Sequence, residues 1–124
     1  LNTAARQLFD LRIKPLYEQY RKPVLLIPQY ASYKGVLQDT GKYSEEETSL
    51  WLPYNPSVVF DSTEQAMAYE AILNAVAGAE YVIGVEAFAY FLEDFPLSTE
   101  LNVRGKPAEK IIAGWYQCFA SDNK

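Results

Sequence analysis

Four residues between Glu86 and Asp94 carry the side chains best suited to binding a cationic partner. Glu86, Tyr90, Glu93 and Asp94 follow one another at i, i+4, i+7 and i+8, spacings that place side chains on one face of an α-helix. On such a face, three carboxylates around a phenol would form a docking surface for a basic protein. The alternative is an ordinary solvated helix face, which normally carries charged and polar residues.

A second candidate site is a group of aromatic residues around the predicted strands. The possible ligand pocket consists of Tyr30, Tyr33, Trp51 and Tyr54. Aromatic rings line small-molecule pockets and stack on cationic groups. The alternative is core packing, in which large rings supply much of the buried surface of a small domain.

The chain lacks the residues of several common catalytic sites. It contains no histidine and a single cysteine, Cys118, so His-dependent triads, Cys-His dyads and His-ligated metal sites within one chain are excluded. Its glycines form neither a phosphate loop nor a dinucleotide fingerprint. We expect no metal and no cofactor. The hypothesis of an enzyme that uses carboxylates, tyrosine or lysine as acid and base is not excluded, although the sequence identifies no pair of such residues as catalytic.

Charge is distributed unevenly along the chain, which has a net charge of −5. From Gln38 to Leu101 there are twelve Asp or Glu and one basic residue, Lys42, whereas the preceding segment is basic. A net acidic chain is a poor match for nucleic acid. The expected partner is another protein, with a basic one the best match, or a second copy of this chain.

No membrane contact is expected, because no apolar run reaches the roughly 18 residues of a spanning helix. A lone cysteine cannot form an internal disulfide and favours a reducing compartment, so the cytoplasm is the expected location.

The spacing of apolar and breaker residues predicts the elements that position these sites. Helical spacing covers Thr3–Arg21, with a kink or break near Lys14 because Pro15 follows. The apolar run between Pro23 and Pro28 predicts a buried strand. Weaker or hairpin strands are predicted at 33–37, 49–52 and 57–60.

Three further helices are predicted in the second half of the chain. The clearest begins at Asp61-Ser62, where Glu64 or Gln65 can complete a capping box, and runs to about Ala77. The second covers Val85–Phe95 and stops before Pro96. Pro107 begins the last, which runs to about Ala120 and whose buried face is expected to contain Ile111, Ile112, Trp115 and Phe119. Residues 79–83 fit either a strand or the start of the second helix.

These elements predict an α+β fold in one globular domain spanning 1–124. It would have a small antiparallel sheet of three to four strands and about four helices. The favoured function is that of a small acidic, soluble binding or adaptor protein with a charged, tyrosine-rich surface. The alternatives are a small-ligand binder with an aromatic-lined pocket and a carboxylate- or Tyr-dependent enzyme.

Overall fold

Within the described residues, the molecule combines a two-stranded parallel sheet with helices that pack against one of its faces. The structure, a computed structural model, describes residues 1–38, 56–92 and 96–122, and side chains to residue 119. Helical segments cover Asn2–Leu8 (α1), Phe9–Ile13 (a π-helical segment) and Lys14–Tyr20 (α2). Strand β1 (Val24–Leu26), helix α3 (Ser62–Val76), strand β2 (Val82–Val85) and helix α4 (Pro107–Asp122) follow.

The predicted antiparallel sheet of three to four strands with four helices is wrong. Within the described residues, β1 pairs with β2 in parallel, and Val24 lies opposite Val82. Parallel neighbours cannot be joined by a hairpin and need a crossover connection, which here contains α3. Of the predicted hairpin, residues 49–52 lie outside the described residues, and near 57–60 the structure shows an isolated bridge between Tyr33 and Phe60.

The N-terminal helix was predicted to kink or break near Lys14, and a π-helical segment interrupts it there. Pro15 lies in the first turn of α2. Since proline cannot donate the backbone hydrogen bond of a regular helix, the wider π turn provides the local adjustment.

Helix α3 forms the core by packing against both α1 and α4. Its side toward α1 buries Ile72 and Val76 with Phe9, while its side toward α4 buries Tyr69 and Leu73 with Val103 and Ile112. None of the described helices is long and apolar enough to cross a membrane.

Asp61 caps α3, as the sequence predicts, but the capping box is incomplete. The Asp61 side chain accepts a hydrogen bond from the Thr63 backbone N–H at 2.8 Å. The Glu64 carboxylate instead accepts from the backbone N–H groups of Gly35 (2.9 Å) and Leu37 (3.3 Å). Glu64 therefore ties the segment that follows β1 to the start of α3.

Replacement of Asp61 by Ala should lower the free energy of unfolding by about 0.5–2 kcal/mol, because the Thr63 N–H loses its acceptor. Urea denaturation of both proteins measures the difference. An Asp61→Asn variant retains a capping oxygen and should stay close to the parent. Equal losses in both variants would contradict a capping role.

Candidate functional site

The ends of the parallel strands position the candidate site. In open parallel sheets and in β/α barrels, ligands bind beyond the carboxyl ends of the strands. Glu86 directly follows β2, and its backbone N–H donates to the Leu26 carbonyl at the end of β1 (2.8 Å). This hydrogen bond fixes the point at which the chain leaves the sheet, and the loop from Ala87 begins there.

The predicted helix Val85–Phe95 is wrong. Val85 ends β2, and the described residues that follow it are not helical. Ala89 has a φ of 64°, and an α-helix does not accommodate a positive φ. Leu92, within the range of that helix, is 88% exposed. Glu86 and Tyr90 therefore lie on a loop and not on one helical face.

Glu86 and Tyr90 nevertheless line one cavity, between this loop and α4. Its volume is about 380 Å³. The lining residues are Glu86, Ala87, Tyr90, Val103, Glu109, Ile112, Ala113 and Tyr116. The cavity thus combines two carboxylates and two phenols with a mainly apolar wall.

Tyr90 is held in place although its side chain is 57% exposed. Its hydroxyl donates to Glu109 Oε1 at 2.6 Å. The Arg104 guanidinium carbon lies 5.9 Å from the centre of its ring, within the range of a cation–π contact. Two contacts from the segment at the start of α4 therefore limit the movement of an exposed aromatic ring.

Glu109 is positioned by the start of α4. Its second carboxyl oxygen, Oε2, accepts from the Gly105 backbone N–H at 2.9 Å, as acidic residues in the first turn of a helix commonly do. The hydrogen bond from Tyr90 and this backbone contact lower the pKa of Glu109. Its carboxylate is thus held in the charged form.

Arg104 and Asn102 hold the loop that carries Tyr90. Arg104 Nη1 donates to the carbonyls of Phe91 (3.3 Å) and Leu92. Asn102 Oδ1 accepts from the backbone N–H groups of Phe91 (3.2 Å) and Arg104 (3.1 Å).

On the other side of the cavity, the Tyr116 hydroxyl donates to the Val85 carbonyl. Burial raises the pKa of Tyr116.

A buried polar cluster lies beneath these loops. Lys106, only 2% exposed, donates from Nζ to Ser32 Oγ at 2.9 Å and to the Glu100 carbonyl at 3.4 Å. Burial lowers the pKa of Lys106 to about 8 and raises that of Glu100. These hydrogen bonds join the segment that follows β1 to the segment that precedes α4.

The other predicted site residues have different surroundings. Tyr30 packs edge-on against Tyr69, with ring centres 6.0 Å apart, and Tyr33 is buried with Val36 and Leu101. Tyr30 also lines two cavities beside the N-terminal helical segment, and the ligand pocket expected around these residues stays a prediction. Glu93, Asp94, Trp51 and Tyr54 lie outside the described residues.

Sequence reasoning missed Glu109, Arg104 and Tyr116. One local signal was present for Glu109, which follows Pro107 by two residues and so falls in the first turn of a predicted helix. Nothing local connects it with Tyr90, 19 residues earlier in the chain.

Within the described residues, no group of three or more Asp, Glu or Cys is arranged to hold a metal ion.

Comparison with known proteins finds a similar fold but no matching family. No family model matches the chain, and no curated protein matches it in sequence. The chain is similar in structure to a GH113 beta-1,4-mannanase, with a TM-score of 0.66 and 24% sequence identity. The match covers 91% of this chain and 35% of the mannanase chain, so this chain spans about a third of the mannanase's length.

Proposed function

We propose that the chain binds a neutral saccharide in the cavity lined by Glu86, Tyr90, Glu109 and Tyr116. The observation that carries this proposal is the exposed Tyr90 ring, held by Glu109 and Arg104. Sugar rings have apolar C–H faces that pack on aromatic rings and hydroxyl groups that donate to carboxylates. A ring fixed before the ligand arrives loses little further freedom on binding, which favours affinity.

The place of the cavity and its polarity support the proposal. Glu86 leaves the carboxyl end of β2, where ligands of parallel β/α proteins bind. Glu86 can accept hydrogen bonds from sugar hydroxyls, and the apolar wall of Val103, Ile112 and Ala113 excludes water from one side of the ligand.

The fold likeness suggests which saccharide to test. A protein of similar fold is a beta-1,4-mannanase, so β-1,4-linked manno-oligosaccharides are the first ligands, and β-1,4-linked gluco-oligosaccharides of equal length are the comparison. The two series differ in the orientation of one hydroxyl group on each sugar unit. A preference between them would therefore report on hydroxyl contacts in the cavity.

For the described residues of this cavity, binding and not bond cleavage is the activity that we propose. Glycosidases commonly pair a carboxylate with a carboxylic acid whose raised pKa lets it donate a proton. In this cavity the contacts of Glu109 lower its pKa, which favours an acceptor of hydrogen bonds. Glu100, whose pKa is raised, is buried in the polar cluster and does not line the cavity.

Replacement of Tyr90 by Ala should weaken manno-oligosaccharide binding about tenfold, equivalent to about 1.4 kcal/mol. Isothermal titration calorimetry on the full chain measures the dissociation constant. Tyr20→Ala is the matched control, since Tyr20 is also exposed but ends α2 and does not line the cavity. Undetectable binding in both oligosaccharide series, or equal losses in the two variants, would contradict the proposal.

A basic protein partner is the second candidate, favoured by the twelve acidic residues between Gln38 and Leu101. The dependence of binding on salt concentration distinguishes a saccharide ligand from a basic protein partner. Binding of a neutral saccharide should change little as ionic strength rises, whereas association with a basic protein should weaken steeply. We also propose a cytoplasmic location, because a chain with a single cysteine cannot form an internal disulfide and so fits a reducing compartment.

A further inference from the structure

The two carboxylates that line the cavity differ in how their charge is compensated. Glu109 accepts from the Tyr90 hydroxyl at 2.6 Å and from the Gly105 backbone N–H at 2.9 Å. These two hydrogen bonds, and with them the positive charge of Arg104, lower the pKa of Glu109. The Glu86 carboxylate, in contrast, forms no hydrogen bond or ion pair with the described residues. Glu86 is therefore the lining carboxylate whose charge is not compensated within the described part of the chain.

The Tyr116 phenol lies near Glu86 but donates to another acceptor. Its hydroxyl donates to the Val85 carbonyl. Burial raises the pKa of Tyr116, and the negative charge of Glu86 raises it further, so the carboxylate and the phenol interact across the cavity. Because Tyr116 uses its proton elsewhere, both oxygens of Glu86 are available to accept from a ligand.

The cavity carries negative charge only, as far as the structure describes its lining. Glu86 and Glu109 are lining residues, and no described lining residue is Lys or Arg. Arg104, which contacts the Tyr90 ring, already donates to backbone carbonyls of the loop. A cleft that is lined by one sign of charge and has apolar walls raises the local concentration of ligands of the opposite sign. The cavity thus attracts a cationic group.

The contacts that Glu86 lacks determine which ligand suits it. A ligand that covers Glu86 removes water from its carboxylate, which costs free energy unless the ligand replaces those hydrogen bonds. A sugar hydroxyl replaces them with a neutral donor. An ammonium group donates a hydrogen bond that carries charge on both partners, and such bonds are roughly twice as strong as neutral ones. A sugar unit with an amino group in place of a hydroxyl also keeps the apolar C–H face that packs on Tyr90.

We propose that the cavity binds amino-substituted saccharides more tightly than neutral ones, with Glu86 as the residue that accepts from the sugar ammonium, an assignment that rests on the saccharide binding proposed above. Neutral oligosaccharides bind through the Tyr90 ring and the hydroxyl contacts alone. The amino group adds an ion pair to the same contacts, so Glu86 determines the class of sugar unit that lies beside it.

Isothermal titration calorimetry on the full chain compares a β-1,4-linked glucosamine oligosaccharide with the gluco-oligosaccharide of equal length. The two ligands differ in an amino group in place of one hydroxyl group on each sugar unit. In mildly acidic buffer of low salt, the protonated glucosamine ligand should bind about fivefold more tightly, as expected for an ion pair that stays in contact with water. The preference should shrink as ionic strength rises, because salt screens the pair.

A charge-removing variant assigns the preference to Glu86. Glu86→Gln keeps the size of the side chain and should bring the ratio of the two dissociation constants to about one. Glu80→Gln is the matched control, since Glu80 is also exposed but precedes β2 and does not line the cavity; it should keep the ratio of the parent. Far-ultraviolet circular dichroism confirms that both variants fold.

The outcomes distinguish this assignment from saccharide binding as such. Measurable but equal affinities for the two ligands in the parent, or a preference that persists in Glu86→Gln, would overturn the role of Glu86 and leave saccharide binding in place. A preference that does not change with ionic strength would also overturn it, independently of any variant. No binding of either ligand, or of the manno-oligosaccharide, would overturn both proposals.

Discussion

Replacement of Tyr69 by Ala should lower the free energy of unfolding by about 3–5 kcal/mol, as expected for a fully buried aromatic side chain. Tyr69 is 0% exposed and packs with Leu73, Val103 and Ile112 between α3 and α4. Its hydroxyl also donates to the Pro28 carbonyl at 3.1 Å, just beyond β1. The variant therefore loses buried ring area and a contact to the strand end.

Tyr69→Phe separates these two contributions. It keeps the ring and removes only the hydrogen bond, so its loss should be about 0.5–1.5 kcal/mol. Urea denaturation monitored by tyrosine and tryptophan fluorescence gives both values. A loss below about 1 kcal/mol for Tyr69→Ala would show that the ring does not fill the core as described.

The buried Lys106 should make the protein more stable in mildly alkaline solution. Its pKa is lowered to about 8 in the folded chain, against an ordinary value near 10.4 in the unfolded chain. Between these values the unfolded chain binds more protons, so the free energy of unfolding rises with pH. For this group the rise from about pH 7 to about pH 9.5 is about 2 kcal/mol.

Tyrosine ionisation opposes this rise at higher pH. Burial raises the pKa of Tyr69 and Tyr30 in the folded chain, so ionisation near pH 10 favours the unfolded chain. The contribution of Lys106 is therefore the difference between the parent and Lys106→Met, each unfolded in urea across that pH range. Met has a similar length and no charge, so its curve should lack the rise. Parallel curves for the two proteins would contradict a lowered pKa at Lys106.

Local signals predicted several elements correctly. The run between Pro23 and Pro28 contains β1, Asp61 caps α3, and Pro107 begins α4. The strand was predicted to be buried, which is wrong for Leu25, since it is 52% exposed. Phe119 of α4, also predicted to be buried, is 46% exposed. Each signal acts within a few residues, because a cap or a proline constrains the backbone at its own position. These elements could be located without knowledge of the rest of the chain.

The sheet topology could not be predicted in the same way. Val85, Phe88 and Leu92 have helical spacing, but Val82–Val85 pairs instead with β1, more than 50 residues away. That pairing packs the partly buried Val82 and Val85 against the α1 side of α3. Tertiary contacts of this kind override local periodicity in short apolar runs, for which helix and strand are hard to distinguish.

The candidate site was predicted only in part for the same reason. Glu86 and Tyr90 were identified by their chemistry, and the structure places both on one cavity. Their companion Glu109 comes from the first turn of α4, and Arg104 from the segment before it. These residues meet because α4 packs on α3 and Tyr116 of α4 bonds to the Val85 carbonyl of β2, contacts that no spacing along the chain indicates.

A nuclear magnetic resonance titration with a β-1,4-linked manno-oligosaccharide tests the binding proposal most directly. Backbone amide resonances near Glu86 to Phe91 and near Glu109 to Ala113 should shift in a saturable manner. The same titration of Tyr90→Ala should produce much smaller shifts. Unchanged spectra at saturating oligosaccharide, or shifts confined to residues far from the cavity such as Gly78, would contradict saccharide binding at this site.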